Sequence, residues 1–359
     1  RPREPFQLWR ADMAQEPFFL RNIWYYALPS AKLREGAMQA KLLLGEPLLF
    51  CRRQDGSVYA LRDVCPHRGI PLSCGRQTGD EVECCYHGWR FDGTGRCTTI
   101  PSLTGQEGIT PGNIQVRTYP VHEAAGNIWV YMPEGRMADK APPPSPPTIP
   151  DFAVPPNLVK TLQFPCFIDH AVIGLMDPAH GPFVHQSWWW RSRRSIHEKA
   201  KAFGPENLGW AMRRHKPSAN SFAYKILGGA PETEIRFQLP GIRIEHIVAG
   251  DKRVVNLTTV TPVDGQNTEI NHSIYWNWPL LSVLKPLVSL FAERFLGQDR
   301  DVVVKQQQGL RHEQNLMLIR DADTQARWYM QWKNEYARAQ QEQRPPVNPV
   351  PETVLRWRS

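Results

Sequence analysis

Cys65-Pro66-His67-Arg68-Gly69, fourteen residues, then Cys84-Cys85-Tyr86-His87-Gly88-Trp89: this stretch decides how the chain is built. Two cysteines and two histidines in two short loops can hold zinc or an iron–sulfur cluster. A zinc finger usually pairs two cysteines in one loop and two histidines in the other, whereas here each loop offers both residue types. That division suits a two-iron cluster in which two thiolates bind one iron and two imidazoles the other. Gly69, Gly75 and Gly88 would let the backbone approach the sulfides closely.

Around this motif the sequence reads as short strands broken by turns. Leu42–Leu44 and Leu48–Cys51 flank a Gly-Glu-Pro turn, Asp55-Gly56 precedes Val58–Leu61, Asp92-Gly93-Thr94-Gly95 marks a hairpin, and Gly126-Asn127 introduces Ile128–Tyr131. Such a pattern predicts a small all-β barrel or sandwich over residues 1–135. A proline-rich linker follows over 136–157, with eight prolines among the fifteen residues from Pro142 to Pro156. So many prolines give a stiff, extended connector.

The remaining residues, 158–359, form the second expected domain. A helix is predicted over Ile173–Val184, then a loop with Trp188, Trp189 and Trp190, then strands at Glu234–Phe237, Ile242–Val248, Val254–Val260 and Thr268–Trp276. In the last of these Ile270, His272, Ile274 and Trp276 fall on one face. Residues 283–341 read as helix interrupted near Gly297 and Gly309. Strands followed by helices predict an α+β catalytic domain, an antiparallel sheet gripped by helices.

Composition narrows the function classes. At 359 residues the chain is long for one core, which agrees with two domains. A composition 41% hydrophobic and 22% charged is that of a soluble globular protein. The net charge of +8 includes a cluster at Arg191, Arg193 and Arg194 but no basic helix, so a docking face for an acidic partner fits better than nucleic-acid binding. No apolar run reaches the roughly 18 residues a spanning helix needs. Leu280–Ala292 contains Lys285 and Pro286, and reads as an amphipathic helix or a lid over a pocket. No signal-peptide pattern opens the sequence, and the expected compartment is the cytoplasm. Seven cysteines, an odd number with four of them between residues 65 and 87, indicate metal binding and not a disulfide scaffold.

A second candidate site reads Asp177-Pro178-Ala179-His180, then Gly181 to Val184, then His185. Asp177 and His180 stand three apart and would share a helix face, with His185 where the helix can end. Two histidines and one carboxylate can form the facial triad of non-haem Fe(II) sites.

Through Cys65-Pro-His67-Arg-Gly and Cys84-Cys-Tyr-His87-Gly-Trp-Arg-Phe-Asp92 the chain resembles the Rieske family. Over nearly its whole length it resembles the Rieske non-haem iron oxygenases. The resemblance implies Cys65, His67, Cys84 and His87 as ligands of a [2Fe–2S] cluster, with Cys85 as packing. It assigns His180 and His185 to a mononuclear Fe(II), completed by a carboxylate in Gln298-Asp299-Arg300-Asp301, where Asp299 matches and Asp301 is the alternative. Asp177 would bridge His180 to a cluster ligand of a neighbouring subunit, which implies a homotrimer. Three departures stand out. Ile70 occupies the position of a disulfide cysteine found in the cytochrome bc type. Trp89 replaces a serine that donates to the cluster there, which predicts a potential toward the low end of a range of roughly −150 to +300 mV. Ile173 and Gly174 stand where many relatives have Glu-Asn.

The resemblance is nearest the homotrimeric vanillate demethylase, dicamba demethylase and ketosteroid hydroxylase branch. It implies an oxidoreductase that takes NAD(P)H electrons from a separate ferredoxin or flavin reductase and activates O2 for monooxygenation. The expected chemistry is O- or N-dealkylation or hydroxylation of an aromatic or polycyclic small molecule. Cis-dihydroxylation of an aromatic ring is the alternative reaction. A Rieske electron carrier with an inactive second site is the alternative of another class.

Overall fold

The computed structural model describes residues 9–11, 18–135, 144–185, 193–217, 230–312 and 316–359. The predicted loop at Trp188–Trp190 and the first arginine of the basic cluster, Arg191, lie outside the described residues.

The chain divides into two compact units. One holds residues 21–148 with 153–155. The other holds residues 156–359 with 149–152 and the N-terminal strand Trp9–Ala11, which pairs antiparallel with Leu316–Leu318. Trp9–Ala11 therefore joins the C-terminal unit and not the β unit that follows it, because its backbone partners are long-range.

The first unit is built of three small antiparallel sheets. One joins Met38–Leu43, Glu46–Arg52, Val58–Arg62 and Thr118–Tyr119. A second centres on Asn127–Met132, paired with Ile23–Pro29 and Val121–Ala124. Each of the first two of these strands is buried along its whole length, so both faces are covered. The third sheet joins the short strands Arg76–Thr78, Glu81–Glu83, Arg90–Phe91 and Cys97–Thr99. The Gly-Glu-Pro turn falls one position earlier than predicted: Leu44 and Gly45 take positive φ, and Glu46 and Pro47 already belong to the strand. Two consecutive left-handed residues match the twist of a tight hairpin.

The second unit contains one eight-stranded antiparallel sheet. In chain order its strands are β1 (Leu158–Phe164), β2 (Glu198–Glu206), β3 (Gly209–His215), β4 (Glu232–Gln238), β5 (Ile242–Ala249), β6 (Lys252–Pro262), β7 (Thr268–Trp276) and β8 (Thr353–Arg358). Their spatial order is β1-β7-β6-β5-β4-β3-β2-β8. Among the described residues the helices are α1 (Ile168–Met176), α2 (Gly181–Val184), α3 (Pro279–Val283), α4 (Lys285–Leu310) and α5 (Thr324–Gln341). This is the predicted α+β arrangement of an antiparallel sheet with helices.

Two helix predictions need correction. The single helix expected over Ile173–Val184 is two, α1 and α2, broken at Asp177. The ring of Pro178 disfavours the helical region for the residue before it, and Asp177 sits at φ −66°, ψ 118°. Asp177 and His180 are therefore brought together by a turn, not by a shared helix face. Conversely α4 runs unbroken through Gly297 to Leu310. One glycine costs a helix about 1 kcal/mol relative to alanine, less than the burial of Ala292, Leu296 and Val303 returns.

Candidate metal centres

The cysteine–histidine loops are near copies of each other. In the first, the Cys65 N–H donates to Ile70 O at 2.8 Å and the Gly69 N–H to Cys65 O at 2.9 Å. In the second, the Cys84 N–H donates to Trp89 O at 2.8 Å and the Gly88 N–H to Cys84 O at 3.0 Å. Both loops can close this way because Gly69 and Gly88 take φ of 75° and 71°, where a side chain would be strained. Gly75 acts differently: its φ is negative, and a Cβ there would meet Glu83 O at 1.9 Å. It permits the backbones around Gly75 and Glu83 to approach closely.

Cys65 and Cys84 sit in the hydrophobic core of this unit with Leu49, Tyr59, Val82 and Phe91, at 1% and 3% exposure. Burial, with the neighbouring Cys84 sulfur, pushes the Cys65 thiol up to about 11. His67 and His87 lie on the outer side, with ring centroids 4.5 Å apart, and Trp89 stacks on His67 at 4.5 Å with an interplanar angle of 3°. Loss of solvent and the facing charges of His87 and Arg68 push the His67 pKa down, which keeps the ring neutral and able to ligate. Two adjacent buried sulfurs and two outer imidazoles on facing loops are the donor set a [2Fe–2S] cluster with mixed ligands requires. Cys85 is exposed, as is Cys74, and neither takes part in this arrangement. Cys51 and Cys97 are buried packing residues, and burial pushes the Cys51 thiol up to about 12.

In the second unit His180, His185 and Asp299 converge. His180 Nε2 and His185 Nε2 are 3.1 Å apart, and Asp299 Oδ1 is 3.6 Å from the first and 3.1 Å from the second. Three ligands about 2.1 Å from one ion and roughly at right angles would stand about 3 Å from each other, so the set fits a facial triad. Asp301 is not part of it: its side chain is 65% exposed and lies 3.6 Å from Arg300. His180 caps the start of α2 and His185 ends it, so a one-turn helix fixes both imidazoles.

The supporting contacts are specific. Asp177 Oδ1 accepts the Ala179 N–H at 2.7 Å, and its Oδ2 lies 3.5 Å from His180 Nδ1. Burial depresses the His180 pKa, but the carboxylates of Asp177 and Asp299 outweigh it and the net shift is upward. Gln298 and Phe295 carried no assignment in the sequence. Gln298 Oε1 lies 3.1 Å from His185 Nδ1, and the Phe295 ring stacks on His185 at 3.6 Å and 15°. The spacing offered a signal for the second, since residues 295 and 299 stand one turn apart on α4.

This triad opens on a cavity of about 1140 Å³. Leu281 of α3, Leu284 between the two helices and Phe291 of α4 form its apolar side, so the segment Leu280–Ala292, expected as an amphipathic helix or a lid, is helical and lines the cavity. Trp276 and Ile274 of β7 face it as the alternation predicted.

Residues 23–120 match the family model described as Rieske [2Fe-2S] domain. The oxygenase component of dicamba O-demethylase from Stenotrophomonas maltophilia is 36% identical over 47% of this chain and 48% of its own length. Chlorophyllide a oxygenase from Chlamydomonas reinhardtii is 38% identical over 47% of this chain and 25% of its own length. The chain thus matches half or less of either relative. Among solved structures, dicamba monooxygenase bound to dicamba superposes with a TM-score of 0.72 at 22% identity, covering 90% of this chain and 98% of that one, a likeness of fold. Residues 23–120 are thus a Rieske [2Fe-2S] domain by direct match, and the chain as a whole is similar to the oxygenase components of Rieske systems and shares the fold of dicamba monooxygenase.

Proposed function

We propose that this chain is the terminal oxygenase of a multicomponent system, performing O- or N-dealkylation or hydroxylation of an aromatic or polycyclic small molecule. The observation that carries the reading is the convergence of His180, His185 and Asp299 on the wall of a large, mostly apolar cavity. Cys65, Cys84, His67 and His87 hold the [2Fe–2S] cluster, and His180, His185 and Asp299 hold the iron. When bound, these groups supply single electrons and an open coordination face for O2.

The residues of the chain do the rest. Gln298 accepts from His185 Nδ1–H, which leaves Nε2 free as a ligand, and Phe295 fixes the ring plane. Asp177 is tied to the backbone of Ala179 and faces His180 Nδ1, which suits it to align that imidazole with His87 of the partner subunit. That role requires a ring assembly, most simply a homotrimer. Asp177→Asn should keep both metals and abolish multiple turnover. A variant with normal turnover would remove Asp177 from the path. The apolar walls exclude water and hold the substrate over the triad.

A single turnover of chemically reduced protein against aryl ethers, N-alkyl amides, arenes and sterols tests the reaction, read by mass spectrometry. Loss of an alkyl group or gain of one oxygen supports the proposal. Gain of two oxygens and two hydrogens would replace it with ring dihydroxylation.

A further inference from the structure

The floor of the cavity is one face of the eight-stranded sheet, and it is not uniformly apolar. Directly paired residues on neighbouring antiparallel strands share a face. Arg243 pairs with Thr258, and Thr258 with His272, which makes one row across β5, β6 and β7. Glu245 pairs with Asn256, and Asn256 with Ile274, which makes the adjacent row. All of these line the cavity, while the flanking row of Ile247, Val254 and Trp276 is apolar. Inward positions of central strands ordinarily carry apolar residues. Packing alone does not ask for an arginine, a glutamate, an asparagine and a histidine side by side there.

We propose that this polar group is the head-group subsite of the substrate cavity. The ligand it fits is a neutral, extended or polycyclic apolar molecule with one hydrogen-bonding head, a ketone, hydroxyl or amide, and not a carboxylate. The proposal rests on the reading of this cavity as the substrate site.

Charge balance decides the head. Arg243 Nη1 lies 3.3 Å from Glu245 Oε2, and Asn256 Nδ2 lies 3.4 Å from the same oxygen, so the only arginine in the cluster already faces a carboxylate. Burial pushes the His272 pKa down to about 4, so the ring is neutral, and its Nδ1 is 2.8 Å from Thr258 Oγ1. Its Nε2 is then available to one polar atom of a ligand. An incoming carboxylate would meet Glu245 with no unmatched cation beside it, and burying a charge that way is unfavourable. The other cations on this face stand apart. Lys199 and Lys201 come from β2, three strands from β5, where they bond Ser359 Oγ at 2.8 Å and Lys216 O at 3.0 Å. Burial lowers the pKa of both Lys201 and His215. Arg294 of α4 is exposed. A volume of about 1140 Å³ exceeds what one ring needs, which argues for the extended body.

Equilibrium dialysis of the cluster- and iron-loaded protein against three probes of one shape tests this: 1-methylpyrene, 1-pyrenemethanol and 1-pyrenecarboxylate. The alcohol should bind about tenfold tighter than the other two, the yield of one well-made buried hydrogen bond. His272→Leu should erase that preference and leave 1-methylpyrene binding within about twofold. His272→Gln, which keeps a hydrogen-bonding group, should retain part of it. Cluster absorbance and iron content report intact folding in each variant. Equal affinities, a preferred carboxylate, no binding of any probe, or a preference that survives His272→Leu would each overturn the proposal. Alcohol-selective binding without any oxygenated product in a single turnover would sink the oxygenase reading and leave this subsite standing.

Discussion

At His185 two neighbours bear on the ring in different ways: Gln298 Oε1 lies 3.1 Å from Nδ1, within reach of a proton there, and the Phe295 ring stacks on the imidazole face. Removing the acceptor leaves a buried imidazole N–H unpaired and lets the other tautomer compete. Gln298→Leu is therefore expected to weaken iron binding about 10–100-fold while the cluster spectrum is unchanged. Competition with a ferrous chelator measures it, and an unaltered affinity would remove Gln298 from the site. The residues most visible in the sequence were those whose spacing has no common structural use, the twin Cys–His loops above all. His180 and His185 were visible only as a pair following that motif. Gln298 was not, since a glutamine on a helix is ordinary until the fold sets His185 against it. The cluster of Arg243, Asn256 and His272, spread over two adjacent rows, escaped for a related reason: each is unremarkable alone, and only the register of β5, β6 and β7 makes them neighbours.

Among the elements, α5 carries two charged networks of different character. Inside, Lys333 Nζ donates to Asp169 at 2.8 and 2.7 Å, and Tyr329 Oη donates to the same carboxylate at 2.6 Å. Both charges are nearly fully buried, at 3% and 4% exposure, so neither can be left alone. Lys333→Met should cost about 3–5 kcal/mol by stranding Asp169. Asp169→Leu combined with Lys333→Met should recover most of that in thermal denaturation, and a double variant no better than the single would show that packing and not charge is at stake. Near the C-terminal end of α5, Glu335 accepts from Arg344 at 2.5 Å and from the Val347 N–H at 3.0 Å, with Arg338 as a third donor. Arg344 first, then the Val347 N–H, hold its pKa at about 2, down from 4.5. A depressed carboxylate contributes stability that is fully present above about pH 4.5 and lost as pH falls toward 2. The melting-temperature gap between wild type and Glu335→Gln should therefore be widest above pH 5 and close in that acid window; a gap that does not narrow would contradict the assignment. The strand alternation of β7 was legible from periodicity, whereas the breadth of α4 was not, since a break was expected at Gly297 and the helix runs through it. Strands β2 and β8 were not legible either, because their pairing joins Glu198–Phe203 to Thr353–Arg358 across most of a domain. Asp177 was misplaced onto a helix face by counting spacing through Pro178.

For the molecule as a whole, the division into a β unit around Cys65 and Cys84 and an α+β unit around His180 and His185 follows from the change of pattern across the proline-rich segment. What the sequence did not mark is that Trp9–Ala11 returns to the second unit, since a three-residue strand carries no period of its own. No helix among the described residues is long and apolar enough to cross a membrane. Among the described residues the two candidate donor sets share no residue, so each metal should load independently of the other. Iron and acid-labile sulfide analysis of the wild type beside Asp299→Ala decides whether both centres exist. About three irons and two sulfides per chain are expected in the wild type, and about two irons with unchanged sulfide in the variant. Two irons in the wild type, or a full complement retained without Asp299, would contradict a mononuclear iron held by His180, His185 and Asp299.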